Sequence, residues 1–273
     1  MIAFPNAKIN LGLHILNRRP DGFHNIESVL FPIGLSDGLE LIEAPDGNFA
    51  FTSSGLQIPS NGLPNLCEQA FWLMHHEFRI PKVHLHLHKV IPAGSGLGGG
   101  SADAAFSLKM FNEKFSLGLS HSDLELLAAK LGSDCPFFIR NEPMLAKGRG
   151  EILQPISLSL KGLHLMLIRP GLHISTAEAF AGVKPAQPAR TVAEILAQPP
   201  HTWKKELKND FEESLFSTHP LLGEIKTKLY SQGAIYAAMS GSGSAIFGLF
   251  EKKPAENLKQ AFHDSFIWHE ELN

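Results

Sequence analysis

Apolar and polar positions alternate strictly over residues 7–15, AKINLGLHI. Ala7, Ile9, Leu11, Leu13 and Ile15 face one way, and Lys8, Asn10, Gly12 and His14 the other. A period of two predicts a half-buried strand with one polar face. Residues 18–24, RRPDGFH, predict a turn, because Pro-Asp-Gly supplies a fixed φ followed by a residue free to take φ > 0. Strands are expected over 39–44, 49–54 and 82–91, with a helix over 65–78. Downstream, Ala104, Leu108, Phe111 and Phe115 recur at helical spacing and form one apolar stripe. A further helix over 122–132 is expected to start at a Ser122/Glu125 capping box and stop at Gly132. SDCPFFIR (133–140) then predicts a turn into a strand.

The second half repeats this mixture. A strand is expected over 163–170, then helices around 176–182, 191–197, 203–216 and 221–232. Strands over 234–239 and 244–250 flank SGSG, and a last helix is expected after Pro254. The pattern is α+β, a sheet packed by helices in each half. The expected division is 1–152 and 153–273.

Composition narrows the options. A chain of 273 residues is one large domain or two ordinary ones. With 44% apolar and 19% charged residues it is globular. A net charge of −3 leaves no basic footprint for nucleic acid and no polybasic membrane patch, so anionic ligands must be held by local backbone and a few cations. Cys67 and Cys135 have no metal-like spacing, which suits a reducing cytosol. Residues 1–10 carry a lysine inside an apolar stretch and no small-residue cleavage pattern, which argues against a signal peptide. No apolar run reaches the roughly 18 residues of a membrane span. A cytoplasmic protein is expected, without nucleic-acid or membrane partners, as a monomer or homodimer.

The chemistry gathers in IPAGSGLGGGSADAAFSLKMF, residues 91–111, where Gly94, Gly96, Gly98, Gly99 and Gly100 separate a strand from a helix. Glycine lets a ligand approach where a Cβ would clash. The first turn of a helix offers unpaired N–H groups and partial positive charge, which suit a polyphosphate. Ser101 is placed for its hydroxyl to reach a phosphate oxygen or a metal ion. The segment lacks the lysine that ends a P-loop. It also lacks the acidic residue that follows a dinucleotide fingerprint about 20 residues on. A flexible linker or a tight packing turn is the plainer alternative.

PAGSGLGGGSA (92–102) resembles the central motif of the GHMP kinases, PNAKINLGLHI (5–15) the first and MSGSGSAIFGLF (239–250) the third, in the family's order. AKINLGLHILNRRPDGFHNIESV (7–29) and LGSDCPFFI (131–139) further resemble one branch, whose acceptor alcohol carries cytidine diphosphate. The resemblance implies a two-domain fold, N-terminal ribosomal protein S5 domain 2-like and C-terminal ferredoxin-like. It implies phosphorylation of a small-molecule hydroxyl by ATP with Mg²⁺ at the phosphates. ATP is then held by Pro92, Ala93, Gly94, Ser95, Gly96, Leu97, Gly98, Gly99, Gly100, Ser101 and Ala102.

The same resemblance assigns Asp134 to orient the hydroxyl and accept its proton, with Lys8 supporting it; both also have plain readings, Asp134 capping a turn before Cys135-Pro136 and Lys8 as a solvated edge-strand lysine. Asn10 is assigned to the substrate or to fixing a neighbouring loop. Phe23 and His24 are assigned to the cytosine, with phenylalanine where the family usually has tyrosine; Phe23 could instead staple the turn to the core. Thr176 and Phe180 are assigned to the reacting centre and to the base, or else to a helix cap and helix core. Gly241 and Ser242 belong to the loop that closes beside the phosphates, or to a plain hairpin. No resident metal site is expected. His84, His86 and His88 share a strand face, but side chains two residues apart on a strand lie about 6–7 Å apart, so one ion would not easily take all three. Other acceptors (mevalonate, homoserine, a sugar), a nucleotide-binding protein without turnover, and an RNA-binding module suggested only by S5-like topology are the competing readings.

Overall fold

A computed structural model describes residues 1–59, 62–255 and 261–273. The chain divides into two compact units that interleave along the sequence. The first is Met1–Ala7, Leu35–Ala93 and Gly98–Glu142; the second is Lys8–Gly34, Gly94–Leu97 and Pro143–Asn273. A single cut at 152/153 therefore leaves residues 8–34 and 94–97 on the other side from the body they pack with.

The first unit is built on a sheet of order β1-β4-β6-β5, with β1 Ile2–Ala3, β4 Gly38–Glu43, β6 Val83–Lys89 and β5 Ala50–Gly55. Its pairings are antiparallel except β5 with β6, which is parallel. Leu39, Leu41, Val83, Leu85 and Leu87 are buried, as the period-two pattern requires. The histidines of β6 are absorbed by neighbours. His84 meets Asp46 (3.1 Å), His86 meets Thr52 (2.8 Å) and Ser54 (2.9 Å), and His88 meets Ser54 (3.0 Å).

Helix α1 (Leu66–Phe78) starts at Asn65, whose side chain accepts from Cys67 N while Glu68 accepts from Asn65 N, each at 2.8 Å. It packs on α2 (Gly99–Lys114), with Phe71 and Phe111 edge to face at 6.0 Å. Helix α3 (His121–Ala129) begins earlier than expected. Its capping box is Ser120 with Asp123, not Ser122 with Glu125. Both spacings satisfy the S/T-x-x-acid rule, and the chain takes the one that leaves Leu124 and Leu127 inward.

PFFIR is a short helix, α4 (Phe137–Arg140), not a strand. Three successive buried apolar residues carry no period that tells strand from helix. Pro136, already at helical φ −58°, starts the turn, and Asn141 ends it in the left-handed region.

Lys109 of α2 donates to the Phe138 carbonyl at 3.1 Å and lies 3.7 Å from the Phe106 ring centroid. Burial pushes its amine down to about 8 from the ordinary lysine value of 10.5. Between those values the unfolded chain holds a proton that the folded chain has lost, so this residue makes stability rise with pH. In urea titrations, Lys109→Met is expected to gain most relative to the parent below pH 8 and to lose that gain by pH 10.5. A pH-independent difference would contradict the assignment.

The second unit carries two four-stranded sheets. One has order β2-β3-β7-β8, with β2 Asn6–Arg18, β3 His24–Ser36, β7 Met144–Gly148 and β8 Ile152–Pro155; the ends of β2 and β3 run into first-unit residues. The other has order β10-β11-β9-β12 and is antiparallel throughout, with β10 Tyr236–Met239, β11 Ile246–Phe250, β9 His164–Arg169 and β12 Phe266–Glu271. Helices α5 (Thr176–Ala181), α6 (Val192–Leu196), α7 (Glu212–Thr218) and α8 (Pro220–Ser231) accompany it, and α8 packs on β10 and β11. Leu222, Ile225 and Leu229 join Ile168, Met239 and Ile246 in the core there.

The expected helix over 203–216 is a 3-10 helix, Pro200–Lys205, followed by extended chain and then α7. The interruption is tertiary: Leu13 N donates to Lys208 O (2.8 Å) and Asp210 N to Leu13 O (2.9 Å). Strand β12 was not legible as a strand, and the helix expected after Pro254 falls largely on 256–260, outside the described residues.

Candidate active site

The polar face of β2 was expected to meet solvent. It is buried instead, with Lys8 3%, Asn10 4% and His14 6% exposed. Within the second unit, Lys8 Nζ donates to Asn10 Oδ1 (2.6 Å) and to the Gly96 carbonyl (2.9 Å), while Lys8 N donates to Leu97 O (2.9 Å). The edge-lysine alternative for Lys8 therefore does not hold. Gly96 O accepts a second bond from Ser240 Oγ (2.9 Å), and Asn10 N donates to that same hydroxyl (3.2 Å). Asn10 Nδ2 reaches Ser28 Oγ (2.9 Å), which donates on to Gly12 O (2.6 Å). Three stretches far apart in sequence, 8–10, 94–97 and 240–245, thus meet at one carbonyl.

The close approach explains Gly96. Its φ is +77°, and a Cβ there would strike the Ser240 carbonyl oxygen. Ala245 N donates to Ser95 O (3.1 Å), tying the hairpin to the glycine segment once more. Gly241 sits at φ +54°, and Ser242 beside it is half-buried. Asn209 Nδ2 donates to the carbonyls of Met239 and Gly241, both at 2.8 Å, and Glu212 Oε1 accepts from Met239 N. Sequence reading did not single out Ser240, Asn209 or Glu212. Ser240 was within reach, lying beside Gly241; Asn209 and Glu212 had no local signal, because their work is done some thirty residues away.

In the first unit, Pro92 and Ala93 lead toward the glycines and Gly98 begins α2. Gly98 is its N-cap at φ 74°, and the first turn, Gly99 to Ala102, has neither an acidic residue nor a side-chain cap among the described residues. Ala102 N closes this turn on Gly98 O (2.9 Å), and the helix start ahead of that bond, with no side chain capping it, is the arrangement that favours anions. A hydrogen bond joins Ser101 to the Cys135 thiol, so the segment carrying Asp134 lies against this helix end. Burial pushes that thiol up to about 12, the Ser101 bond opposes the rise and the neighbouring Asp134 charge adds to it. Behind the same turn, Asp103 is buried and its carboxyl is raised well above the usual range. Desolvation is the main cause, and the Lys89 ammonium pulls against it.

The remaining assigned residues lie in the second unit. His24 stacks on Phe180 with ring centroids 4.9 Å apart and 16° between planes, and Phe180 stands edge-on to buried Phe211 at 4.9 Å. Phe23 does not join this pair. It is 54% exposed, and the Arg149 guanidinium lies 4.9 Å from its ring centroid. Thr176 is exposed at the first position of α5, whose cap is Ser175, accepting from Glu178 N at 3.1 Å.

The GHMP kinases N terminal domain model matches residues 65–142 and the GHMP kinases C terminal model residues 191–267. The chain belongs to the GHMP kinase family. Within it, a relative from Bacteroides thetaiotaomicron is 52% identical over 92% of both chains, and one from Bacteroides fragilis is 50% identical over the whole of both. Each is named 4-diphosphocytidyl-2-C-methyl-D-erythritol kinase. A crystal structure of 4-(cytidine 5'-diphospho)-2C-methyl-D-erythritol kinase superposes with TM-score 0.84 at 31% identity, covering 98% of both chains. A mevalonate kinase from Methanococcus jannaschii, at TM-score 0.74 and 14% identity, shares the fold. No helix among the described residues is long and apolar enough to cross a membrane.

Proposed function

We propose that this chain transfers the γ-phosphoryl group of ATP to the 2-hydroxyl of 4-diphosphocytidyl-2-C-methyl-D-erythritol, a step of non-mevalonate isoprenoid precursor synthesis. The observation that carries the reading is the junction at Gly96 O, where Lys8 and Ser240 fix the glycine segment from two directions. Phosphoryl transfer asks mainly for positioning and charge stabilisation, and a rigid glycine-rich backbone beside an uncapped helix end supplies both. Residues 92–102 hold the triphosphate through backbone N–H groups, with the Ser101 hydroxyl beside them.

Asp134 orients the acceptor alcohol. The oxygen–phosphorus bond forms as the γ–β bridging bond breaks, the alcohol proton passes to Asp134, and ADP leaves with the bridging oxygen. An alcohol is far less acidic than an aspartic acid, so the proton moves late, as the phosphoryl group arrives. His24 and Phe180 offer flat faces for a cytosine, which is useful for a base and idle for a small acceptor. Each of the three rings has one face occupied, His24 and Phe180 by each other and Phe23 by Arg149, so a base would stack on an outer face.

The donor set also fits Mg²⁺ that enters on the nucleotide. Among the described residues no cluster of three or more His, Cys, Asp or Glu is built to hold a metal alone, and Mg²⁺ in such sites takes most of its ligands from phosphate and water. The Asp134 carboxylate and Ser101 hydroxyl are the nearby oxygen donors. When bound, the ion neutralises charge on the transferring group.

The test is ADP release with four acceptors: the cytidyl substrate, mevalonate, homoserine and galactose. The cytidyl compound is expected to exceed the others in kcat/KM by about 10²-fold or more, because a site shaped for a base leaves polar groups unpaired without one. Comparable rates with a small acceptor, or none with the cytidyl compound, would overturn the assignment.

A further inference from the structure

A buried charged cluster behind the helix end has no part in the reaction as described above. Lys89, at the end of β6, is 4% exposed. Its Nζ donates to Asp37 Oδ2 (2.5 Å) and Asp103 Oδ2 (2.7 Å). The other Asp37 oxygen accepts from the backbone N–H of Val90 (2.6 Å) and Ile91 (2.8 Å). Asp103 lies in α2, four residues beyond its first, and its Oδ1 is buried without a hydrogen-bond partner. A Cβ built on Gly99 would stand 3.0 Å from Lys89 Nζ and 2.9 Å from Ile91 Cγ2, so the amine lies directly beneath the first residue of α2.

These contacts link both stems of the glycine-rich segment. Asp37 grips the incoming chain at Val90 and Ile91, Asp103 belongs to the outgoing helix, and Lys89 bridges the two carboxylates. Burying three ionisable groups is a poor way to gain stability, since apolar side chains of similar volume often do as well or better. What the ions add is direction: charge-assisted hydrogen bonds hold one relative placement of strand end and helix start, where apolar packing tolerates several. A small error in placing a bound group costs far more in catalysis than in folding.

We infer that Lys89, with Asp37 and Asp103, is a positioning group for the nucleotide, setting the two stems of the glycine-rich segment so that the N–H groups of the first turn of α2 converge on its phosphates. The inference rests on reading residues 92–102 as the phosphate-binding segment.

Two variants test it, assayed as the full chain well below their thermal midpoints. Lys89→Met with Asp103→Asn removes the ammonium together with one carboxylate and leaves Asp37 on its two backbone donors. Asp103→Asn alone keeps an acceptor oxygen for the Lys89 ammonium but removes one carboxylate, turning an ion pair into an ion–dipole bond. Calorimetric Kd for MgADP and KM for ATP are expected to rise about tenfold or more in the double variant and about threefold in the single one, with KM for the acceptor within about twofold. A purely structural cluster would lower the thermal midpoint and leave these nucleotide constants unchanged. A folded variant with the parental Kd, the single variant serving if the double one does not fold, overturns the inference while the phosphate-segment reading stands. A parent chain that binds no MgADP overturns both.

Discussion

Asp134→Asn is expected to bind MgATP within about twofold of the parent and to lose about 10²–10⁴-fold in kcat, the range ordinarily supplied by a positioned acid or base. Asparagine keeps the shape and one acceptor oxygen, so the hydroxyl can still be oriented. What it cannot do is take the proton when the phosphoryl group arrives. The segment is also anchored by the adjoining Cys135 thiol, held by Ser101, and by the buried run Phe137, Phe138 and Ile139, so the variant is expected to stay folded. Calorimetry for binding and single-turnover mixing for chemistry separate the two effects. Parental kcat in the variant would remove Asp134 from the reaction, whereas loss of MgATP binding would make it a structural residue of the nucleotide site.

Gly96→Ala carries the second large effect. At φ +77° any L side chain is strained by about 1–2 kcal/mol. Here a further penalty arises, because the added methyl meets the Ser240 carbonyl, a backbone atom that no rotamer change can move. Relief requires the glycine segment to withdraw, and with it the carbonyl on which Lys8 and Ser240 converge. A loss of kcat/KM of about 10²-fold or more is expected. Gly233→Ala is the control: φ is +95° there, but nothing lies within 4 Å of the new methyl. It should lose stability of about 1 kcal/mol and keep its activity. Equal activity in the two variants would mean that the junction at Gly96 is irrelevant to turnover.

Much of this was legible in the chain itself. The alternation over 7–15 announced a strand, and the glycines between β6 and α2 announced a close approach. What local pattern could not reveal was the partner of each polar residue. Lys8 reads as an exposed strand lysine until residues 96 and 97 are folded over it. Ser120 and Ser122 both satisfy a capping rule, and only the inward placement of Leu124 and Leu127 chooses between them. PFFIR has the composition of a core strand, and Pro136 decides for a helix. The 203–216 stretch has helical composition, but pairing with Leu13 pulls its middle straight. In the candidate site, Phe23 follows a turn and stays half exposed, and only the fold shows Arg149, more than a hundred residues away, over one face of its ring.

The interleaved units bear on how the protein is made. Residues 8–34 leave the ribosome early, yet the body they complete waits for residues 143–273. Strands β2 and β3 must therefore remain without that framework through most of synthesis, exposing alternating apolar side chains of the kind that pair promiscuously. Sequence-distant pairing of this sort slows folding. Growth temperature and helper proteins would then act mainly on the yield of soluble enzyme, through the chain still emerging rather than through the finished fold.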